Sequence, residues 1–214
     1  MIERRQHAAL FVDLLEARRL FAAAPVNVNG TAGNDVIEVA QLATAYVVTV
    51  NGVSTQHALA DVGAINVFCG DGDDIVLFAA NFTLGGYADG GNGNDRFVGG
   101  DGPDTFLGAA GKDVLYGGLG NDRINGAGGN DKVLGEGGAD RLYGGDGNDY
   151  MDGGSSGDRL YLGGGLDTAF GSGGDDIFYA IDRARDEIYG ASGQDTATAD
   201  VIDIRGAIEH VAII

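Results

Sequence analysis

From residue 90 to residue 179 one pattern of polar and apolar positions recurs every nine residues, ten times in succession, without insertion or deletion. Each unit opens with a glycine-rich polar stretch, reaches an aspartate at the sixth position, and closes with a polar–apolar–variable triplet. The eighth position is apolar throughout: Phe97, Phe106, Leu115, Ile124, Val133, Leu142, Met151, Leu160, Ala169 and Phe178. One inward side chain flanked by two outward ones predicts a very short strand over the last three positions. The glycine-rich half predicts a tight turn, because glycine tolerates positive φ. One such strand cannot bury its apolar residue alone, so the units must stack into a quasi-one-dimensional all-β array.

The flanks carry weaker patterns. Residues 1–24 place Leu10, Leu14, Leu15, Leu20 and Phe21 on one face of a short amphipathic helix that ends before Pro25. A cleaved secretory signal fits less well, because Asp13 and Glu16 interrupt the apolar stretch. Residues 25–89 read as degenerate, longer solenoid coils. They contain two complete units, one starting at Gly30 and one at Cys69, with strand-like runs at Tyr46 to Val50 and Ala64 to Phe68. Asn51-Gly52 is a hairpin or corner signal. Residues 180–214 leave the register. Ala180 to Tyr189 reads as a polar interruption, Gly190 to Asp195 as one more unit out of phase, and Val201–Arg205 and Ala207–Ile214 as capping strands.

Charge sharpens this picture. The net charge is −19, from 32 acidic and 13 basic residues, which argues against nucleic-acid binding and for cations as partners. Residues 1–24 hold four arginines and three acids, so the excess lies in the remainder. Forty glycines with only two prolines suit repeated turns and exclude collagen. Cys69 is the single cysteine, which excludes an internal disulfide framework and reads as a small buried or corner residue. His57 reads as a surface polar residue. No apolar run approaches the ~18 residues of a membrane-spanning helix.

The aspartates carry the candidate chemistry. Asp95, Asp104, Asp113, Asp122, Asp131, Asp140, Asp149, Asp158, Asp167 and Asp176 occupy every sixth position, and the first position is glycine in all units except the one that starts at Leu162. Residues 90–179 contain no His or Cys, so the donors are carboxylate and carbonyl oxygens. Hard oxygen donors in flexible loops favour Ca²⁺ over Zn²⁺, while Mg²⁺ demands a stricter octahedron. Turn capping through Asx bonds is the competing reading, but it does not require Asp at all ten positions. Asp35 and Asp74 are further candidates that lack neighbours in phase.

These units resemble the repeats-in-toxin (RTX) nonapeptide family, G-G-x-G-x-D-x-U-x with U apolar, also described as hemolysin-type calcium-binding repeats. The resemblance implies a right-handed parallel β-roll or β-solenoid that binds several Ca²⁺ ions, roughly 6–8. It also implies two nonamers per coil. Asp95, Asp113, Asp131, Asp149 and Asp167 then form one column, and Asp104, Asp122, Asp140, Asp158 and Asp176 the other. Carboxylates about 4.8 Å apart repel by about 3.5 kcal/mol at an effective dielectric near 20, so the array should resist folding until cations fill the gaps. The family's export logic follows: the chain stays unfolded in low cytosolic calcium and folds outside, which predicts a secreted, extracellular or cell-surface protein. Leu15-Glu16-Ala17-Arg18-Arg19-Leu20 is similar to a short segment near the start of many exported bacterial surface proteins. A solvated helix that caps the first coil explains that stretch equally well.

Departures from the repeat mark a weaker stretch. Ser156-Gly157, Leu162, Leu166 and Ala169 disturb residues 153–170, and ions there should bind least tightly; Ala109 and Ala110 dilute the turn that begins at Gly108, and Glu136 takes a glycine place. In the coil register, Arg123, Arg141 and Arg159 stack beside Tyr143, Tyr161 and Tyr179, while the other side shows no such ladder. That face could meet a glycan or an anionic surface; tempering the acidic columns and cross-strand packing explain it without a partner. Gly153–Gly157 matches a nucleophile elbow in letters only, since His7, His57 and His210 lie outside the array. No H-E-x-x-H, P-loop or dinucleotide fingerprint occurs. The expected function is therefore a non-enzymatic, calcium-binding, exported β-roll. An adhesion or glycan-binding module and a carrier module of an exported enzyme or toxin are the alternatives.

Overall fold

The computed structural model describes residues 23–199 and the strand His210–Ile213. The helix expected within residues 1–24 and the capping strand expected at Val201–Arg205 lie outside the described residues, apart from Ala23 and Ala24. Among the described residues there are two sheets of ten strands each, and from Val62 to Ala199 successive strands alternate between them. Within the repeat array every pairing is parallel and joins strands eighteen residues apart, as the two-nonamer coil requires. Ile124, Leu142, Leu160 and Phe178 stack on one sheet, and Phe97, Leu115, Val133, Met151 and Ala169 on the other. The fold is an all-β parallel β-solenoid.

The strands are longer than the triplets predict. Arg141–Asp146 is representative: Arg141 is exposed, Leu142 buried, Tyr143 half-buried and Gly144 buried. The strand therefore runs on through the first three positions of the next unit. Two positions per unit face inward, the apolar eighth and the glycine at the first. The eighth positions form one continuous hydrophobic core between the sheets. Each fully buried Leu, Ile, Val or Phe contributes roughly 1.5–3 kcal/mol, and Ala169 contributes least.

The segment before the array departs from the solenoid reading. Val36–Gln41 lies parallel to Ile75–Phe78, but Ala45–Val50 and Val53–Ala58 then add antiparallel strands to the edge of the same sheet. Asn51 (φ 49°) and Gly52 (φ 81°) make the tight turn between them, a hairpin rather than a solenoid corner. The sequence signal was present at Asn51-Gly52, but it does not say whether the strand after the turn pairs back or goes on to a new coil. Behind this hairpin, Tyr46, Phe78, Phe82, Phe97 and Phe106 form a chain of ring contacts with centroids 5.1–5.9 Å apart. Cys69 and Phe82 are buried in the same region.

Outward positions also form rows. Tyr143, Tyr161 and Tyr179 stack face to face at 4.7 and 4.5 Å, and the Arg123 guanidinium lies 4.8 Å from the Tyr143 ring. The ring faces are spent on one another, which supports cross-strand packing as their role. The opposite sheet, expected to be bare, carries its own series. Arg96 lies over Tyr116, Lys132 sits between Tyr116 and Tyr150, and Phe170 stacks on Tyr189 at 4.8 Å. These residues come from both positions, Arg96, Lys132 and Tyr150 from the seventh and Tyr116 and Phe170 from the ninth, so no single-position ladder contains them.

Two backbone positions, the second and the fourth, have left-handed φ in every turn of the array except Gly99–Asp104. The second position has it in Gly91, Gly118 and Gly145, and also in the non-glycines Ala109, Ala127, Glu136 and Ser172 at 70–77°. The fourth position is more extreme, with Gly111, Gly129, Gly138 and Gly147 at 130–147°. A Cβ on Gly129 would stand 1.4 Å from the Gly111 carbonyl oxygen of the preceding coil, whereas one on Gly128 would meet nothing nearer than 3.5 Å. Gly129→Ala should therefore lower folding stability by about 1–3 kcal/mol or more, and Gly128→Ala should stay within about 0.5 kcal/mol of wild type. Thermal unfolding of the two variants under identical conditions checks the contrast.

Candidate metal centre

The turns place the aspartates in two buried columns. In each unit the Oδ1 oxygen accepts a hydrogen bond from the main-chain N–H of the aspartate one coil earlier. On one side the links run from Asp95 to Asp113, Asp131, Asp149 and Asp167 at 2.7–2.8 Å. On the other they run from Asp104 to Asp122, Asp140, Asp158 and Asp176 at 2.7–2.8 Å. All ten expected aspartates are buried, and the two five-member columns are those implied by the repeat.

The columns extend further than the sequence reading allowed. Asp35 and Asp74 are in phase after all: Asp35 N–H donates to Asp74 Oδ1 at 2.6 Å, and Asp74 N–H to Asp95 Oδ1 at 2.8 Å. Their spacings of 39 and 21 residues conceal the stacking, because the hairpin and the Ala79–Leu84 loop are spliced between coils. Asp186 and Asp195 continue the columns at the other end, accepting from Asp167 and Asp176 at 2.9 and 3.0 Å across 19 residues. The supposed interruption at Ala180–Tyr189 is thus a coil with one extra residue. Asp182 absorbs the irregularity by accepting the Gly165 N–H at 2.9 Å, a bond that a main-chain carbonyl accepts from Gly147. The signal available was Asp186-Glu187-Ile188, which repeats the aspartate–polar–apolar order of every unit.

The second carboxylate oxygen has no such partner. Oδ2 of Asp74, Asp95, Asp113, Asp122, Asp131, Asp140, Asp149, Asp158, Asp167 and Asp176 is buried without a hydrogen bond. Orphaned buried carboxylate oxygens are costly and demand an explanation. Eight of the ten lie toward a main-chain oxygen of the next coil. A Cβ built on Gly90 would lie 2.1 Å from Asp95 Oδ2 and 2.6 Å from the Gly108 carbonyl of the next coil, and Gly126 and Gly135 repeat this with Asp131 and Asp140. The first position is glycine because this space belongs to oxygen atoms. Leu162 is the exception within the array, and its side chain is fully buried; Cys69 holds the equivalent place before Asp74. Among the described residues no three acidic, imidazole or thiol side chains converge. A cation between coils would therefore be held by carboxylate and main-chain carbonyl oxygens, the hard donor set of Ca²⁺. The orphaned oxygens and the carbonyl-lined cradle fit that ion.

Two aspartates differ. Asp35 Oδ2 accepts from the Thr31 N–H at 2.5 Å and its Oδ1 from the Asn51 amide at 2.5 Å, and these donors hold its carboxyl below the usual range. Asp104 Oδ2 accepts from the Gly100 N–H at 2.9 Å. The fifth position forms a separate outer ladder, in which the side-chain oxygens of Asn94, Asn121, Asn130 and Asn148 accept main-chain N–H groups one coil on.

Burial pushes the column carboxyls up, with like-charged neighbours adding to it and the N–H bonds to Oδ1 offsetting part. Asp95, Asp140, Asp149 and Asp176 reach about 6, Asp113, Asp122 and Asp167 about 7, and Asp158 about 8.

Residues 89–124, 125–160 and 152–180 match the family model of the RTX calcium-binding nonapeptide repeat. A comparison with curated proteins finds no match.

The raised values set the pH dependence of the metal-free chain. Groups titrating near 6–8 when folded and near 3.8 when unfolded bind more protons in the folded state. Their contribution to stability is fully present below about 4 and disappears as pH rises through 6 to 8. Metal-free protein should therefore resist urea better at pH 5 than at pH 8. Equal urea midpoints at the two pH values would show that the buried carboxyls are not strained by charge.

Proposed function

We propose that this chain, whose residues 89–180 are RTX calcium-binding nonapeptide repeats wound into a β-solenoid, is an exported, non-enzymatic module that folds as it takes up Ca²⁺. The observation that carries this reading is the double row of buried, unpartnered Asp Oδ2 oxygens, most of them beside a main-chain carbonyl of the next coil. The Oδ2 atoms and those carbonyls supply the donors, and the first-position glycines leave the room. Bound Ca²⁺ supplies positive charge between carboxylates that otherwise repel across every gap.

Coupling to folding follows from how the site is made. Each cradle takes its donors from two coils, so it does not exist until the coils have stacked. Binding free energy then becomes folding free energy. At neutral pH the metal-free columns hold charge with neither solvent nor counter-ion, and the core between them is one side chain deep per coil. Export fits this dependence, since such a chain stays loosely folded where calcium is scarce and closes where it is abundant. The buried aspartates are committed to the columns, and nothing in their arrangement pairs a nucleophile with a base, so no catalytic step is assigned to them.

The test is far-UV circular dichroism and thermal unfolding of the full chain at pH 7.5. Metal-free protein should lose most of its strand signal, and millimolar Ca²⁺ should restore a cooperative transition, with Mg²⁺ much less effective. Identical spectra and midpoints with and without calcium would overturn the proposal.

A further inference from the structure

The calcium-binding reading leaves open where each column of ions begins, and here the geometry departs from the repeat motif. Asp104 stands in a complete motif context, Gly99-Gly100-Asp101-Gly102-Pro103-Asp104. Both of its oxygens nevertheless have protein donors: Gly86 N–H to Oδ1 at 2.5 Å and Gly100 N–H to Oδ2 at 2.9 Å. One coil on, Asp122 has its Oδ2 buried and unpartnered.

The cause lies in the turn. The second position is left-handed in Gly91, Gly118, Gly145 and Gly154 (φ 91–113°), but Gly100 is outside that region. Asp101 and Gly102 donate their N–H groups to the Phe82 carbonyl, each at 3.0 Å. Pro103 has no N–H for the outer ladder and fixes its own φ. Phe82 is itself immobilised, fully buried against Phe78 and Tyr46. The Ala79–Leu84 loop thus holds residues 99–103 in a form that aims the Gly100 N–H at the oxygen a cation would need. Asp35 closes the other column in the same manner. Thr31 donates to its Oδ2 through both N–H and hydroxyl, at 2.5 and 3.1 Å, and Asn51 of the hairpin donates to its Oδ1. An N–H hydrogen pointing at a carboxylate oxygen supplies the positive charge there and repels a cation approaching the same lone pairs.

From these contacts we infer that Asp35 and Asp104 are protein-made end stops, and that the ion columns begin beyond them, in the second column at Asp122. Asp104 is then a motif aspartate that holds no calcium. The N-terminal end of the solenoid is closed by its own backbone and aromatic core, and calcium is required from there onward.

Native mass spectrometry of the full chain in Ca²⁺ counts the ions. Asp104→Asn should keep the wild-type count while lowering the melting temperature, because an amide in place of Oδ2 meets the Gly100 N–H. Asp122→Asn should lose at least one ion. In wild-type protein saturated with calcium, the Gly100 amide should exchange slowly with deuterium, a readout that holds even where a variant fails to fold. Loss of an ion in Asp104→Asn, or fast exchange at Gly100, would overturn the end-stop assignment and leave calcium binding standing. A wild-type chain that binds no calcium would instead sink the functional reading on which this inference rests.

Discussion

Everything in this solenoid depends on how two rows of buried aspartates are neutralised. Each carboxylate spends one oxygen on the N–H of the coil before it, and that bond sets the stacking register more tightly than the apolar core could. The other oxygen is turned into a space bounded by main-chain carbonyls. Ten such oxygens have no protein partner. A fold that excludes water from that many carboxylate oxygens must supply protons, cations or N–H donors, and among the described residues N–H donors reach the Oδ2 oxygens of Asp35 and Asp104.

The glycines follow from the same constraint. At the first position a side chain would occupy the cradle, and at the fourth it would run into the backbone of the neighbouring coil. Substitution is commonest at the second position, at the cost of left-handed backbone in Ala109, Ala127, Glu136 and Ser172, and Leu162 and Ser156 are the array's exceptions at the first and fourth. The hydrophobic core is correspondingly thin. Each strand contributes one apolar side chain, so the metal-independent stability is concentrated where aromatic rings cluster, between Tyr46 and Phe106. The solenoid is best packed at the end where its carboxylates are closed by protein.

Most of the repeat array was legible in the sequence because its physics is local. Alternation of inward and outward side chains, the need for positive φ and the placement of one carboxylate per turn all act within nine residues. The two columns followed once the coil was taken as two units. What escaped was the continuation of the columns: Asp35, Asp74 and Asp195 were read as out of phase and Asp186 was not read at all, because the hairpin, the Ala79–Leu84 loop and one extra residue near Asp182 break the spacing that period-counting relies on. A column tolerates such insertions, because they bulge outward while the N–H to Oδ1 bond restores register. The mixed aromatic and cationic series on the second sheet escaped for a related reason, since its contacts run diagonally between neighbouring coils.

The sequence by itself determined the repeat, the two-sided β-solenoid and the identity of the ten array aspartates, because each unit carries its own turn, strand and carboxylate. Only the tertiary structure decided that the strand after Asn51-Gly52 folds back as a hairpin, and which carboxylates are closed by backbone donors. Those outcomes turn on which N–H group reaches which oxygen across a coil boundary. At Asp104 the answer is set by Phe82, more than twenty residues away in the chain and packed against the turn that aims Gly100. No count of glycines and aspartates contains that contact.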